Sequence, residues 1–295
     1  MTAAAIAAGQ HARHHARYHA MSIDVEEHFQ VWALAGNYPK AHWDQQTSRV
    51  AGNTHKLLDA LAERGQRATF FVLGWVAQRH PLLVQEIAQA GHEVASHGHE
   101  HDLVYKMGPD DFAADIQTSK AILQDITGEP VIGYRAPSFS IGEQTPWAYE
   151  LLAEAGYRYS SSSHPVANDH YGGRRKISVP ETIDGIMEIP ISTLQSPIKN
   201  VRLPFAGGGY FRLLPLAWSL GAVAHLARRQ AQPIMFYLHP WEIDPDQPRP
   251  NKLSLKTRLR HYRGLGQCYD RFCQLLDRHQ WRPIDELYGF RGARL

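Results

Sequence analysis

His92-Glu93-Val94-Ala95-Ser96-His97-Gly98-His99-Glu100-His101-Asp102 is a short apolar stretch that runs straight into three histidines. Its first part reads as a buried strand. His97 and His101 stand four residues apart, close enough to grip one metal ion from consecutive turns of backbone. In α/β proteins, ligands collect at the carboxyl ends of such strands. His99 lies between the pair and should point away from an ion its neighbours hold. The reading depends on a carboxylate from elsewhere completing the site.

Outward from this stretch, apolar runs alternate with helical patterns. Strands are expected at residues 18–24, 67–73, 92–95, 131–134, 157–160, 186–189 and 234–238. Between them, residues 54–64 carry Leu57, Leu58 and Leu61 on one face. Residues 81–90 begin at Pro81, a favourable first helical position, and stop before Gly91. Residues 110–127 place Phe112, Ile116, Leu123 and Ile126 in a stripe that ends at Gly128. Thr145-Pro146 caps a further helix closed by Gly156, and residues 266–279 read as a C-terminal helix. Strands alternating with helices predict a parallel sheet with helices outside, either open or closed as a barrel. Residues 161–180 and the Phe205-Ala206-Gly207-Gly208-Gly209-Tyr210 run read as loops. The triple glycine suits a turn or a close backbone approach to a ligand, and lacks the lysine of a phosphate loop.

A chain of 295 residues, 43% hydrophobic and 20% charged, is long enough to bury a substantial core as a soluble globular protein. A net charge of +2 gives no push toward nucleic acid. Residues 1–17, rich in Ala, His and Arg, are expected to be a flexible tail. Its apolar run, residues 3–8, is too short for a signal sequence and lacks a preceding Lys or Arg. No stretch approaches the length of a membrane span, so a cytoplasmic protein is expected. Residues 213–229 are strongly apolar and read as a buried helix, with peripheral docking to a membrane or partner as the alternative. Cys268 and Cys273, five apart on one expected helix, face different directions and should stay reduced.

Three further segments carry chemistry. The first strand ends in Ser22-Ile23-Asp24-Val25-Glu26-Glu27-His28-Phe29, and alternation puts Asp24 and Glu26 on one side. Two buried carboxylates need positive charge nearby, which a metal on His97 and His101 would supply. Glu26 with two histidines leaves open positions, the pattern of a catalytic zinc site. Asp24 is then free to take a proton from water. Glu27 is the rival third ligand. Gly133-Tyr134-Arg135-Ala136-Pro137-Ser138-Phe139 follows a strand, Pro137 fixes the turn, and Arg135 is placed to hold a carboxylate by a bidentate contact. Phe236-Tyr237-Leu238-His239-Pro240-Trp241-Glu242 ends the last strong strand at His239, a candidate general acid.

These pieces, in this order, resemble the polysaccharide deacetylases, carbohydrate esterase family four, over roughly residues 21–238. Finer features resemble the exosortase-associated subgroup linked to bacterial exopolysaccharide loci: Asp24-Val25-Glu26, His97-Gly98-His99-Glu100-His101, Gly207-Gly208-Gly209-Tyr210-Phe211-Arg212 and His239-Pro240-Trp241-Glu242-Ile243-Asp244-Pro245. The resemblance implies a distorted (β/α) barrel of about seven strands, forming one catalytic domain over residues 18–295 with an extension from about residue 240. It implies metal-dependent removal of acetyl groups from an acetylated polysaccharide or oligosaccharide, with possible contact to membrane exopolysaccharide machinery. Asp24 would be the base, His97 and His101 metal ligands, Arg135 the residue orienting the base, and His239 the acid. Most of the family has adjacent aspartates in the first motif. Here Val25 stands in the second place, and Glu26 is the natural substitute. Zinc is the favoured ion, although cobalt, nickel or iron suits such ligands too. Pro137, Tyr210 and Trp241 are the expected substrate contacts. The residue that tunes His239 is to be sought near Ser160 to Ser163 or Asp169. An amidohydrolase of small non-sugar amides and a non-catalytic polysaccharide-binding protein are the competing readings.

Overall fold

The computed structural model describes residues 18–166, 177–198, 201–230 and 232–291. The expected tail of residues 1–17 and Asp169 lie outside the described residues. Eleven strands are present among the described residues: β1 Tyr18–Val25, β2 Thr69–Val72, β3 Glu93–Ser96, β4 Gly133–Tyr134, β5 Tyr159–Ser160, β6 Glu181–Ile183, β7 Ile186–Glu188, β8 Thr193–Gln195, β9 Arg202–Pro204, β10 Met235–Leu238 and β11 Gln280–Arg282. The main sheet runs β10-β1-β2-β3-β4-β5-β7-β6, with β11 on the amino half of β1. From β10 through β7 every pairing is parallel, which makes seven parallel strands. β6 closes back on β7 as an antiparallel hairpin.

β1 is buried over nearly its whole length because it is paired on both sides and covered on both faces. Its interior Ser22 is satisfied by donating to Phe236 O at 3.0 Å. No ladder joins β7 to β10 among the described residues. The gap is crossed by Ser192, whose N–H donates to Met235 O at 3.2 Å and whose Oγ accepts from Met235 N at 2.9 Å. The barrel is therefore distorted, as expected, and interrupted on one side.

Register sets the functional geometry. Val25 pairs with Val72, Val72 with Ser96, Ser96 with Tyr134 and Tyr134 with Ser160, while Ile23 pairs with Leu238. Among the residues that follow these partners are Glu26, His97, Arg135 and Ser161, and His239 stands level with Asp24. Parallel pairing thus brings five separated segments to one level at the carboxyl ends of the strands.

All seven expected strands are found, each trimmed or extended by a residue or two. The four unexpected ones are three-residue elements, too short for alternation to register in sequence. The helix expected over residues 213–229 is found as Leu216–Ala227, and a separate short helix, Gly208–Leu213, precedes it. Pro215 separates them, since it cannot continue the first. The second buries Ser219, Ala222 and Val223 and leaves Trp218 partly exposed. Cys268 and Cys273 are both free, on the helix Leu265–Arg278. No described helix is long and apolar enough to cross a membrane.

Candidate active site

Glu26, His97 and His101 converge at the carboxyl end of the sheet, with one ligand atom from each lying within 4.8 Å of the others. All three are buried. The turn that brings the histidines together is not helical. Gly98 (φ 77°) and His101 (φ 58°) adopt left-handed backbone, which folds the loop back on itself. At Gly98 a Cβ would meet Oδ2 of Asp115 at 2.9 Å, so glycine is required there both by conformation and by space. His101, Ser138 and Phe139 all have positive φ and all line the same cleft, a concentration of backbone strain at the candidate site.

The side chains fit a cation. Nδ1 of His97 lies 2.8 Å from Arg135 O, and a carbonyl only accepts, so Nδ1 carries the proton and Nε2 presents its lone pair. Burial, more than the opposing pull of Asp24, lowers His97 to about 4, so the ring is neutral as a ligand must be. Glu26 is oriented by Trp241, whose Nε1 donates to Oε1 at 3.0 Å. Its other oxygen, Oε2, lies 2.7 Å from His101 Nε2 and 3.8 Å from His97 Nε2. Oε2 is sealed from solvent and faces those two imidazole nitrogens. A buried carboxylate oxygen converging with two imidazoles is a donor set that a divalent ion would satisfy. Burial works against its charge, but His101, His239 and His97 hold the Glu26 carboxyl well below the usual range.

Glu27 does not compete for the centre. Its Oε1 accepts from Ser48 Oγ at 2.5 Å, Arg49 N at 3.0 Å and Val50 N at 3.2 Å, which places it at the start of the helix Val50–Ala62. His99 turns the other way: a Cβ on Gly74 would strike its ring, and its backbone N–H is held by Asp115 at 3.1 Å.

Asp24 stands beside the cluster. Its Oδ1 accepts from Arg135 Nη1 at 2.6 Å, and its Oδ2 lies 3.8 Å from His239 Nε2. The bidentate contact expected of Arg135 is corrected to a single one. The fully buried guanidinium is shared with Ser22 Oγ at 2.8 Å, Ser161 O at 2.9 Å and Ser161 Oγ at 2.8 Å, and it lies over the ring of Phe71. Ser161 therefore anchors Arg135 and leaves His239 to another partner.

That partner is Glu242, absent from the sequence-derived site. Its Oε2 lies 3.0 Å from His239 Nδ1, and its Oε1 accepts from Arg212 Nε at 2.7 Å. Arg212 is itself gripped by the carbonyls of Arg260, His261 and Arg263. Burial opposes the charged imidazolium, but Glu26, Glu242 and Asp24 overcome it and push His239 up to about 9. The signal in sequence was the spacing from His239 to Glu242, three residues across a proline-started turn.

The expected substrate contacts fare differently. Tyr210 lines the cleft, and Pro137 does not, although Ala136, Ser138 and Phe139 around it do. Trp241 lines it too, but its ring is stacked between His239 and His261 at centroid distances of 5.1 and 4.5 Å, which leaves neither face open to a sugar. Trp32, 37% exposed at the cleft wall, is an aromatic surface that the sequence reading missed. The triple glycine serves packing first: a Cβ on Gly207 would collide with Tyr237 O, where the two residues form an isolated bridge.

With this geometry in view, residues 42–160 match the family described as polysaccharide deacetylase. Over this stretch the chain is similar to the polysaccharide deacetylases. Residues 161–289 match a second family, described as a domain of unknown function, DUF3473. The deacetylase match contains His97, His101 and Arg135. The DUF3473 match contains Tyr210, Arg212, His239 and Glu242. Asp24 and Glu26 precede both. A peptidoglycan-N-acetylglucosamine deacetylase from Bacillus cereus is 35% identical over 98 residues, 33% of this chain and 36% of that protein. A chitooligosaccharide deacetylase from Rhizobium leguminosarum bv. trifolii is 42% identical over 81 residues, 27% of this chain and 33% of that protein. The matched part thus spans about a third of the length of these relatives. A crystal structure from Mycobacterium smegmatis, of a protein assigned to the polysaccharide deacetylases, superposes with a TM-score of 0.57 at 21% identity, covering 92% of this chain and 88% of its own. The deacetylase fold therefore extends across both matched regions, and the sheet it contains passes from one into the other.

Proposed function

We propose that the protein is a metal-dependent hydrolase that removes acetyl groups, N-acetyl foremost, from a bacterial exopolysaccharide or its oligosaccharide precursor. One observation carries this reading. Asp24 and His239 flank the Glu26–His97–His101 cluster, and each is fixed by its own buried partner, Arg135 and Glu242. The names of the deacetylase relatives support the substrate class.

When bound by Glu26, His97 and His101, a divalent ion, zinc being best suited to this donor set, supplies a positive centre that acidifies water and offsets charge on the acetyl oxygen. Arg135 holds Oδ1 of Asp24 and leaves Oδ2 to face the cleft, where it accepts a proton from the attacking water. His239, charged through its carboxylate neighbours, donates a proton from Nε2 to the departing nitrogen or oxygen. Glu242 fixes which nitrogen does so, because Nδ1 is engaged. The cleft of about 370 Å³ admits a sugar residue with its acetyl group.

The test is acetate release from a panel of acetylated glycans and cyclic amides, with metal content measured on the same sample. Release from N-acetylated oligosaccharides that depends on added divalent metal is expected. Full activity in both Asp24→Asn and His101→Ala would overturn the reading, and turnover of the cyclic amides alone would move it to the small-amide class.

A further inference from the structure

The cleft has walls of opposite charge. Its floor is carboxylate, from Asp24, Glu26 and Glu242, and all three are held by partners described above. One wall is the helix Leu255–Tyr262, from which Lys256, Thr257, Arg260 and His261 face the cavity. Lys256 and Arg260 are four apart and so share one face of that helix. Residues 252–263 hold five Lys or Arg and no Asp or Glu. Arg212, the other lining guanidinium, is committed to Glu242 and three carbonyls. Arg260 differs: it lines the cleft, and its guanidinium makes no hydrogen bond or ion pair to any described residue. A guanidinium that lines a cavity and has no carboxylate of its own is a planar cationic fork suited to a carboxylate or phosphate.

We infer that the cleft selects a glycan bearing an anionic group, carboxylate or phosphate, which docks on Arg260 while the acetylated sugar sits over the Glu26–His97–His101 cluster. This rests on the acetyl-hydrolase reading and adds to it the class of substrate. The anionic group lies on a residue neighbouring the acetylated one, because the floor beneath the acetyl group is itself negative and would repel it.

The experiment compares neutral chitotetraose, a hyaluronan tetrasaccharide carrying carboxylates, and UDP-N-acetylglucosamine carrying phosphates. Binding is measured by calorimetry and acetate release by coupled assay, for wild type, Arg260→Gln and Arg260→Lys. At least one anionic probe should bind wild type tenfold or more tighter than chitotetraose, and its identity decides between carboxylate and phosphate. Arg260→Gln should bring the ratio to within about twofold, added salt should do the same, and Arg260→Lys should restore part of it. Equal binding of neutral and anionic probes, or a preference untouched in Arg260→Gln, overturns the inference whatever the turnover. Selective binding without acetate release would sustain it and count against the hydrolase reading instead.

Discussion

Oε2 of Glu242 lies 3.0 Å from Nδ1 of His239 and accepts the same residue's backbone N–H at 3.1 Å. One carboxylate oxygen thus fixes both the ring and the chain of the candidate acid. Burial works against its charge, but Arg212 and His239 hold the Glu242 carboxyl down to about 2, so it remains an anion throughout the working range. His239 donates only while protonated, and Glu242 is one of the carboxylates that raise its pKa. In Glu242→Gln the alkaline limb of kcat/KM should move toward neutral by roughly one pH unit, the scale of one lost charge contact. Loss of kcat should fall within the ~10²–10⁴-fold range for removal of a general acid. A pH–rate profile measures both, and an unmoved alkaline limb would remove Glu242 from its positioning role.

Neighbouring glutamates should separate cleanly. Glu26→Gln takes one charged ligand from the candidate metal centre, so bound metal measured after dialysis should fall sharply and activity with it. Glu27→Gln should retain metal and lose stability instead, by about 1 kcal/mol, because it weakens the contacts to the first N–H groups of the helix Val50–Ala62. Metal analysis beside thermal melts checks this pair. Chelation of the wild type should abolish acetate release, with recovery on adding zinc.

Arg135 is fully buried with Asp24, Ser22 and Ser161 around it. Arg135→Met leaves the Asp24 carboxylate without its cation in a water-excluded place. The expected cost is about 3–5 kcal/mol, typical of breaking one side of a buried pair. Chemical denaturation reads it. A loss under 1 kcal/mol would mean that water or another donor replaces the arginine.

At the opposite end of β3, Glu93 accepts from Thr69 Oγ1 at 2.6 Å and Tyr159 OH at 2.9 Å. Burial and the neighbouring Asp285 carboxylate push its carboxyl up to about 8 in spite of these donors. A carboxyl that holds its proton more tightly when folded stabilises the fold fully below its unfolded pKa of about 4. That stability is lost as pH rises through the folded value of about 8. Wild type should therefore lose roughly 1–3 kcal/mol relative to Glu93→Gln between pH 5 and pH 8. Parallel melting curves for the two proteins across that range would contradict the assignment.

The parallel strands were legible because each carries a near-continuous apolar run, and burial on both faces demands that pattern at whatever position it occurs. Asp24, His97, Arg135 and His239 were legible because each sits one step before or after the end of such a run, and His101 because it stands four residues beyond His97. β6, β8, β9 and β11 were not, since three residues carry too little periodicity. Glu242 stood three residues from His239 in the sequence, but its role shows only in the fold, where Arg212, thirty positions earlier in the chain, holds its other oxygen.

By itself, then, the sequence determined the alternation of strands and helices, the histidine pair and the set of carboxylates from which a site must be drawn. Tertiary structure decided among them. Register of parallel strands brought Glu26 to the level of His97, and a helix start absorbed Glu27, a choice that two adjacent glutamates cannot reveal in one dimension. The same packing turned Trp241 from an open platform into a clamp on Glu26 and left Arg260 lining the cleft with no carboxylate partner among the described residues. Periodicity encodes which side of an element is buried. What a buried polar group meets depends on segments that come together only in the folded chain, and its chemistry is set by that meeting.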